Sequence, residues 1–282
     1  MTLFTTILMI IAAAAAVAAL LYLLLILPGM RKHPDIQQLR KVLYAHRGLH
    51  DNSSDAPENS MAAFARAVEA GFGIELDVQL TKDQVLVVFH DYTLKRICGV
   101  EGRVDAYTFE ELQQFKLCDS EQRIPKFEEV LKLIDGRVPL IIEYKIEATN
   151  PAVCAAADVL LQHYRGLYCI ESFNPMGLYW YRKNRPDIVR GQLSDAFHTR
   201  GELKGALYFL LENLLLNFLT APDFIAYNHR YPKKLSRRLC RGLFGNTAVC
   251  WTIKNETELA EAQKDFDMFI FDSFVPEQKS RM

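Results

Sequence analysis

The sequence predicts an α/β fold, a distorted TIM-type (β/α)8 barrel preceded by one transmembrane helix. Three observations carry that expectation. Short apolar runs alternate with stretches of helical period from Val42 onward, charged residues sit at alternate positions inside several of those runs, and the first 30 residues contain no Lys, Arg, Asp or Glu. Half of the 282 residues are apolar and the formal charge is -1, a balance that suits one globular domain and gives no basic coat for nucleic acid.

The N-terminal segment comes first. Leu3–Leu27 is almost wholly apolar; as a helix it would reach about 37 Å, enough to cross a hydrocarbon core of about 30 Å with some tilt. A cleaved signal peptide is the rival reading, but it calls for a basic start, a shorter apolar run and small residues at its end. Here the alanines lie mid-segment and Leu20–Leu27 follow them. The expectation is an uncleaved anchor over residues 1–30, a basic juxtamembrane linker over 31–41 and the barrel over 42–282. Arg31, Lys32, Arg40 and Lys41 all flank the anchor on its C-terminal side, which by the positive-inside rule places the catalytic domain in the cytoplasm of a single-pass cell-membrane protein. The six cysteines show no ligand spacing and read as small core residues in a reducing compartment.

Nine strands are predicted next: Val42–Arg47, Gly73–Leu80, Val85–His90, Val138–Lys145, Leu167–Phe173, Ile188–Leu193, Asp223–Asn228, Ala248–Ile253 and Met268–Phe271. Helices are predicted at Ser60–Ala70, Lys126–Ile134, Pro151–Tyr164, Met176–Asn184, Pro232–Phe244 and Glu256–Phe266. Nine strands is one too many for a closed eight-stranded barrel. Only Thr81–Gln84 join the second and third, too few residues for a helical crossover, so one of that pair is expected to be a hairpin strand.

Period-two alternation then locates the chemistry. In Gly73–Leu80 the residues Glu75, Asp77 and Gln79 share a face opposite Ile74, Leu76 and Val78; in Val138–Lys145, Glu143 and Lys145 oppose Leu140 and Ile142. Three inward carboxylates repel one another unless a cation or protons neutralise them, and an all-oxygen set favours a hard ion, Mg²⁺ or Ca²⁺. For any one Glu, an ordinary wet strand face is the plainer reading; three on two buried strands make a metal site. His46 and His90 end strands, where barrel chemistry sits, and imidazole can take or give a proton near neutrality. Arg47 has the fork that grips phosphate oxygens. His33, His163 and His198 read as surface or capping residues; His50 and His229 stay open.

These residues resemble the glycerophosphodiester phosphodiesterase family, relatives of the phosphatidylinositol-specific phospholipases C. The likeness runs through Ala45-His46-Arg47-Gly48, Pro57-Glu58-Asn59-Ser60, Glu75-Leu76-Asp77, Val87-Val88-Phe89-His90-Asp91, Ile142-Glu143-Tyr144-Lys145, Glu171-Ser172-Phe173 and Cys250-Trp251-Thr252. It is loose at the end, where Asp272-Ser273-Phe274 follows the last strand. The resemblance implies Glu75, Asp77 and Glu143 as metal ligands, His46 and His90 as acid and base, and Arg47 and Lys145 as phosphate contacts. Glu58 and Asn59 would fix the loop, and Trp251 would wall the alcohol moiety or pack in the core. The implied reaction yields sn-glycerol 3-phosphate and an alcohol from a small phosphodiester. A lysophospholipase D, or a catalytically silent barrel that binds lipid headgroups, are the alternatives.

Finally, Glu202–Thr220 is apolar on nearly every side, either a buried barrel helix or a lid or interfacial helix. Arg230, Lys233, Lys234, Arg237, Arg238 and Arg241 follow it, so residues 202–241 are a second candidate for membrane contact beside the N-terminal helix.

Overall fold

A computed structural model describes residues 3–201 and 203–277. Met1 and Thr2 of the expected anchor, Glu202 at the head of the apolar insertion and the last five residues of the expected barrel lie outside the described residues. Eight parallel strands close a barrel in the order β1 (Tyr44–His46), β2 (Gly73–Leu80), β4 (Leu140–Tyr144), β5 (Tyr168–Ser172), β6 (Arg190–Ser194), β7 (Phe224–Asn228), β8 (Thr247–Ile253) and β9 (Met268–Phe271), with β9 pairing back onto β1. The surplus strand is β3 (Leu86–Val88), which runs antiparallel along the upper end of β2, Val78 opposite Val88. The four-residue connection allowed only a hairpin, and a hairpin is what forms.

Each strand divides its residues between two cores. Ile74, Leu76, Val78, Leu140, Ile142, Ile170, Ile225 and Cys250 face the surrounding helices. Tyr44, Ile141, Cys169, Val189, Phe224, Val249, Met268 and Ile270 fill the barrel. Gly191 is part of that filling, because a Cβ there would fall 1.9 Å from the Phe224 ring. The first crossover helix, Met61–Ala70, starts where the Ser60 side chain accepts from the Ala63 N–H and ends at Gly71 in the left-handed region (φ 77°).

Between β3 and the helix Phe127–Ile134 the chain makes an excursion that the sequence reading left without elements. Two four-residue helices, Lys95–Cys98 and Phe109–Leu112, close over a small core of Phe89, Leu94, Ile97, Val104, Leu112, Leu117 and Ile124.

The N-terminal helix Leu3–Leu25 is long and apolar enough to cross a membrane, and none of its residues is buried. The stretch after it does not behave as a plain linker. Ile26 is 0% exposed in the outer core, and the Gly29 N–H donates to Pro222 O (2.8 Å). Arg31 pairs with Asp223 (2.6 Å) and Arg40 with Asp267 (3.2 Å), just before β7 and β9. Ile36 and Leu39 plug the barrel floor, where the Tyr44 hydroxyl donates to Leu39 O (2.8 Å). Two of the four charges that suggested a free basic flank are therefore ion-paired to the domain itself.

The apolar insertion is not one helix but two, Ala206–Glu212 and Asn217–Thr220, separated by a bend at Leu214 (φ 58°). Leu211 and Leu214 are buried, while Leu203, Leu207, Phe209, Phe218 and Leu219 are exposed. The segment is thus neither wholly buried nor wholly exposed.

Candidate active site

The strand register assembles the site at the C-terminal end of the barrel. His46 is level with Glu75, Asp77 with Glu143, and Glu143 with Glu171 on three successive pairings. The lower barrel is apolar and this upper layer is charged, so the carboxylates are held at a fixed depth by the hydrocarbon beneath them. Glu75, Asp77 and Glu143 are buried, and one oxygen from each lies within 4.8 Å of the others. Burial first, then repulsion from Asp77, Glu143 and Glu171, pushes the Glu75 carboxyl well above the usual carboxylate range. Burial opposes ionisation of Asp77 too, but Lys145, His90 and Arg47 outweigh it and hold it well below. Lys145 Nζ lies 2.8 Å from Asp77 and 2.6 Å from Glu143. An all-oxygen cluster whose own repulsion forces protons onto it can hold a hard cation.

Both histidines have one ring nitrogen engaged by a carboxylate. His46 Nδ1 lies 3.0 Å from Asp272 Oδ2, and His90 Nδ1 lies 2.5 Å from Asp91 Oδ1. Burial raises the Asp272 carboxyl, but hydrogen bonds from His46 and His50 and from Lys254 (2.8 Å) hold it far below its ordinary value. An ionised carboxylate only accepts, so His46 Nδ1 must carry the proton and Nε2 is left with a lone pair. Burial, then the Arg47 charge, brings the His46 pKa down to about 4 against the pull of Asp272. At neutral pH this ring is uncharged. Its Nε2 faces Glu75 Oε2 at 3.9 Å.

Arg47 sits in the left-handed region (φ 54°), which turns the chain sharply before Gly48 and points the guanidinium back over the barrel. Its backbone N–H donates to Glu75 (3.1 Å), its Nη1 to Glu58 (2.6 Å), and its Nε lies 3.5 Å from Asp77. Glu58 also receives two hydrogen bonds from Arg96, which in turn grips Asp91. Burial works against the Glu58 charge, yet Arg96, Arg47 and Asn52 bring its pKa down to about 2. Asn59 donates to Asp77 (2.8 Å). Glu58 and Asn59 thus fasten the loop. One chain of ion pairs links Arg47, Glu58, Arg96, Asp91 and His90.

Trp251 stands on β8, four strands round the barrel from β4, with Phe173 edge-on to it at 5.7 Å. The structure brings His46, Arg47, Glu75, Asp77, His90, Glu143 and Lys145 to one mouth, with Trp251 on its far wall. Three residues were missed as participants. Asp272, just past the end of β9, was given no role, and its only sequence signal is an acidic group following the last strand. Arg96 lies in the stretch that the sequence reading left without elements. Glu171 is a fourth buried carboxyl, held well above its usual range by burial and Glu143. His50, left open, lies 3.2 Å from Asp272, and His229, also left open, lies 3.6 Å from Glu258.

A family model described as the glycerophosphoryl diester phosphodiesterase family matches residues 46–272. The glycerophosphodiester phosphodiesterase of Caldanaerobacter subterraneus subsp. tengcongensis is 35% identical over 167 residues, 55% of this chain and 67% of that one. A Bacillus subtilis relative, YhdW, is 30% identical over 232 residues, 78% of this chain and 89% of its own length. Among solved structures, an Oleispira antarctica phosphodiesterase in complex with the product sn-glycerol-3-phosphate matches with a TM-score of 0.67 at 24% identity. It covers 84% of this chain and 94% of its own, a likeness of fold.

Proposed function

The chain belongs to the glycerophosphoryl diester phosphodiesterase family, and from that premise we propose that it hydrolyses glycerophosphodiesters to sn-glycerol 3-phosphate and an alcohol at the charged mouth of the barrel. The observation that carries the reading is the convergence there of three buried carboxylates, two carboxylate-paired histidines and two cations. A barrel that only binds headgroups has no need of a neutral imidazole aimed at a carboxylate cluster.

Glu75, Asp77 and Glu143 would hold a divalent cation, Mg²⁺ or Ca²⁺, and a cation there would offset charge on the phosphate oxygens in the transition state. The chain's own groups do the rest. Arg47 and Lys145 fix the non-bridging oxygens. His46, neutral and with Nε2 unprotonated, takes the proton from the attacking oxygen, which belongs to water or to the substrate's neighbouring hydroxyl. A new P–O bond forms, the P–O bond to the alcohol breaks, and His90 returns a proton to the departing oxygen; where the hydroxyl attacks, water then opens the resulting cyclic phosphate. Asp272 and Asp91 set the two rings' tautomers, and Trp251 walls the alcohol.

The N-terminal helix is proposed to be a single membrane span, with the barrel on the cytoplasmic side. Its length and composition support the span, and the basic residues that follow it in sequence support the side. The test is direct. Full-length protein in detergent, stripped of metal, should release sn-glycerol 3-phosphate from glycerophosphocholine only after Mg²⁺ or Ca²⁺ is restored. Release in excess chelator would remove the metal assignment, and no release with any divalent ion would remove the activity.

A further inference from the structure

We propose that the N-terminal helix leaves the domain on the side of the catalytic mouth, so that the mouth faces the lipid leaflet in which the helix is embedded. This rests on the reading of Leu3–Leu25 as a membrane span. Its direction follows from contacts. The helix Leu235–Gly242 follows β7, which ends at the mouth, and leads to β8, which begins at the floor; Ser236 is therefore its upper end and Cys240 is nearer the floor. Tyr22 lies against Ser236. One turn later, Ile26 O accepts from Cys240 Sγ (3.3 Å) and from Asn217 Nδ2 (3.1 Å). Gly29 then meets Pro222 and Arg31 meets Asp223, immediately below β7. From Tyr22 to Arg31 the chain descends the barrel's flank.

Read backwards, the helix climbs. Leu3–Leu21 continue past Ser236 with none of them buried. Nineteen residues of helix extend about 28 Å, close to the roughly 30 Å of a hydrocarbon core. That length begins at the level of the mouth, not below the floor.

The rim on this side is dressed for such a surface. Ser194, at the upper end of β6, donates to Leu211 O (2.8 Å), and Tyr227, near the upper end of β7, donates to Glu212 O (3.2 Å), which fixes the insertion at the mouth. There Leu203, Leu207 and Phe209 are 41%, 55% and 52% exposed. Arg230 and Lys233, on the loop that follows β7, are exposed beside Leu235. Apolar side chains flanked by cations suit an interface with anionic lipid. An aromatic file connects this rim to the site: Trp251 to Phe173 (5.7 Å), Phe173 to Phe197 (6.0 Å), Phe197 to Tyr208 (5.6 Å). A single-chain phosphodiester lipid rising from the leaflet would lay its chain along that file with its phosphate at Arg47.

The experiment places tryptophan at the rim, Phe209→Trp, or at the exposed floor residue Gln37, Gln37→Trp, in the full chain reconstituted into vesicles with brominated acyl chains. Beyond the background from Trp180 and Trp251, F209W should lose most of its added emission and Q37W none. Quenching of Q37W with F209W spared would put the floor on the membrane and overturn the proposal while leaving the anchor intact. If neither is quenched but the protein stays with vesicles through an alkaline wash, the domain stands clear of the bilayer and the proposal fails alone. If the wash releases the protein, there is no span, and the proposal falls with the reading it rests on.

Discussion

The two arcs of the barrel differ in how they carry function. From β1 to β4, function is written in residue type: carboxylates where strands should be apolar, imidazoles at strand ends, a guanidinium forced into a left-handed turn. From β6 to β8 the residues are unremarkable leucines, phenylalanines and arginines, and the role proposed for them rests on where they stand. Leu214 is buried and Phe209 exposed a few residues apart, and only the fold says which is which. An odd residue declares itself; an ordinary one in an odd place needs a structure.

Substitutions in the two arcs should therefore differ in kind as well as size. The largest effect belongs to the carboxylates. Chelation or Glu75→Gln should lower turnover by about 10³-fold or more, since metal charge stabilisation is worth several kcal/mol; an isothermal titration of the metal-stripped protein should show weakened binding for E75Q. Next come His46→Ala and His90→Ala, each expected to lower kcat by about 10²–10⁴-fold with the circular dichroism spectrum unchanged. In the other arc, Ile26→Ala should leave turnover alone and cost about 2–5 kcal/mol of stability, read as a lowered unfolding midpoint. A midpoint equal to wild type would mean that the anchor hangs free.

Asp272→Asn returns to the first arc with a smaller effect. Losing a charged hydrogen bond worth about 1.5–3 kcal/mol should lower kcat roughly ten- to a hundredfold at unchanged KM. Asp272 raises the His46 pKa, so its removal lowers that pKa and moves the acid limb of the kcat profile to lower pH. A lost fold or an altered KM would make Asp272 a packing residue only. The smallest effect, and the one that most sharpens the contrast, is expected of Leu207→Ser with Phe209→Ser. Stability should stay within about 0.5 kcal/mol, as for surface changes, and glycerophosphocholine turnover should hold while hydrolysis of vesicle-borne lysophospholipid falls. Equal loss on both substrates would dissolve the distinction between the arcs.

Much of the first arc was legible because burial makes charge expensive: Glu75, Asp77 and Glu143 stand out in strands whose neighbours are Ile, Leu and Val. Asp272 was not, because its meaning comes from closure of β9 onto β1, which brings it to His46 from the other end of the chain. The excursion after β3 escaped notice because four-residue helices carry no readable period. The direction of the anchor was beyond any pattern. An apolar helix has the same composition read from either end, and only Tyr22, Ile26 and Gly29 against partners some two hundred positions away orient it. On the proposed orientation Arg31 and Arg40 lie at the floor, away from the membrane, and Arg230 and Lys233 at the rim.

Barrel closure carries a consequence for synthesis. The first strand, Tyr44–His46, is made early, yet its partner Met268–Phe271 emerges only after the seven other strands. Contacts far apart in sequence form slowly, so on the proposed reading the helix Leu3–Leu25 can be inserted while the barrel behind it is still open, with Ile26 waiting for a groove built from Asn217 and Cys240. On that reading, nascent chains arrested before Met268 should be embedded in membranes yet remain digestible by protease throughout their barrel part. Release of the arrest should convert them to a resistant form, and resistance before that point would show that the barrel does not wait for its last strand.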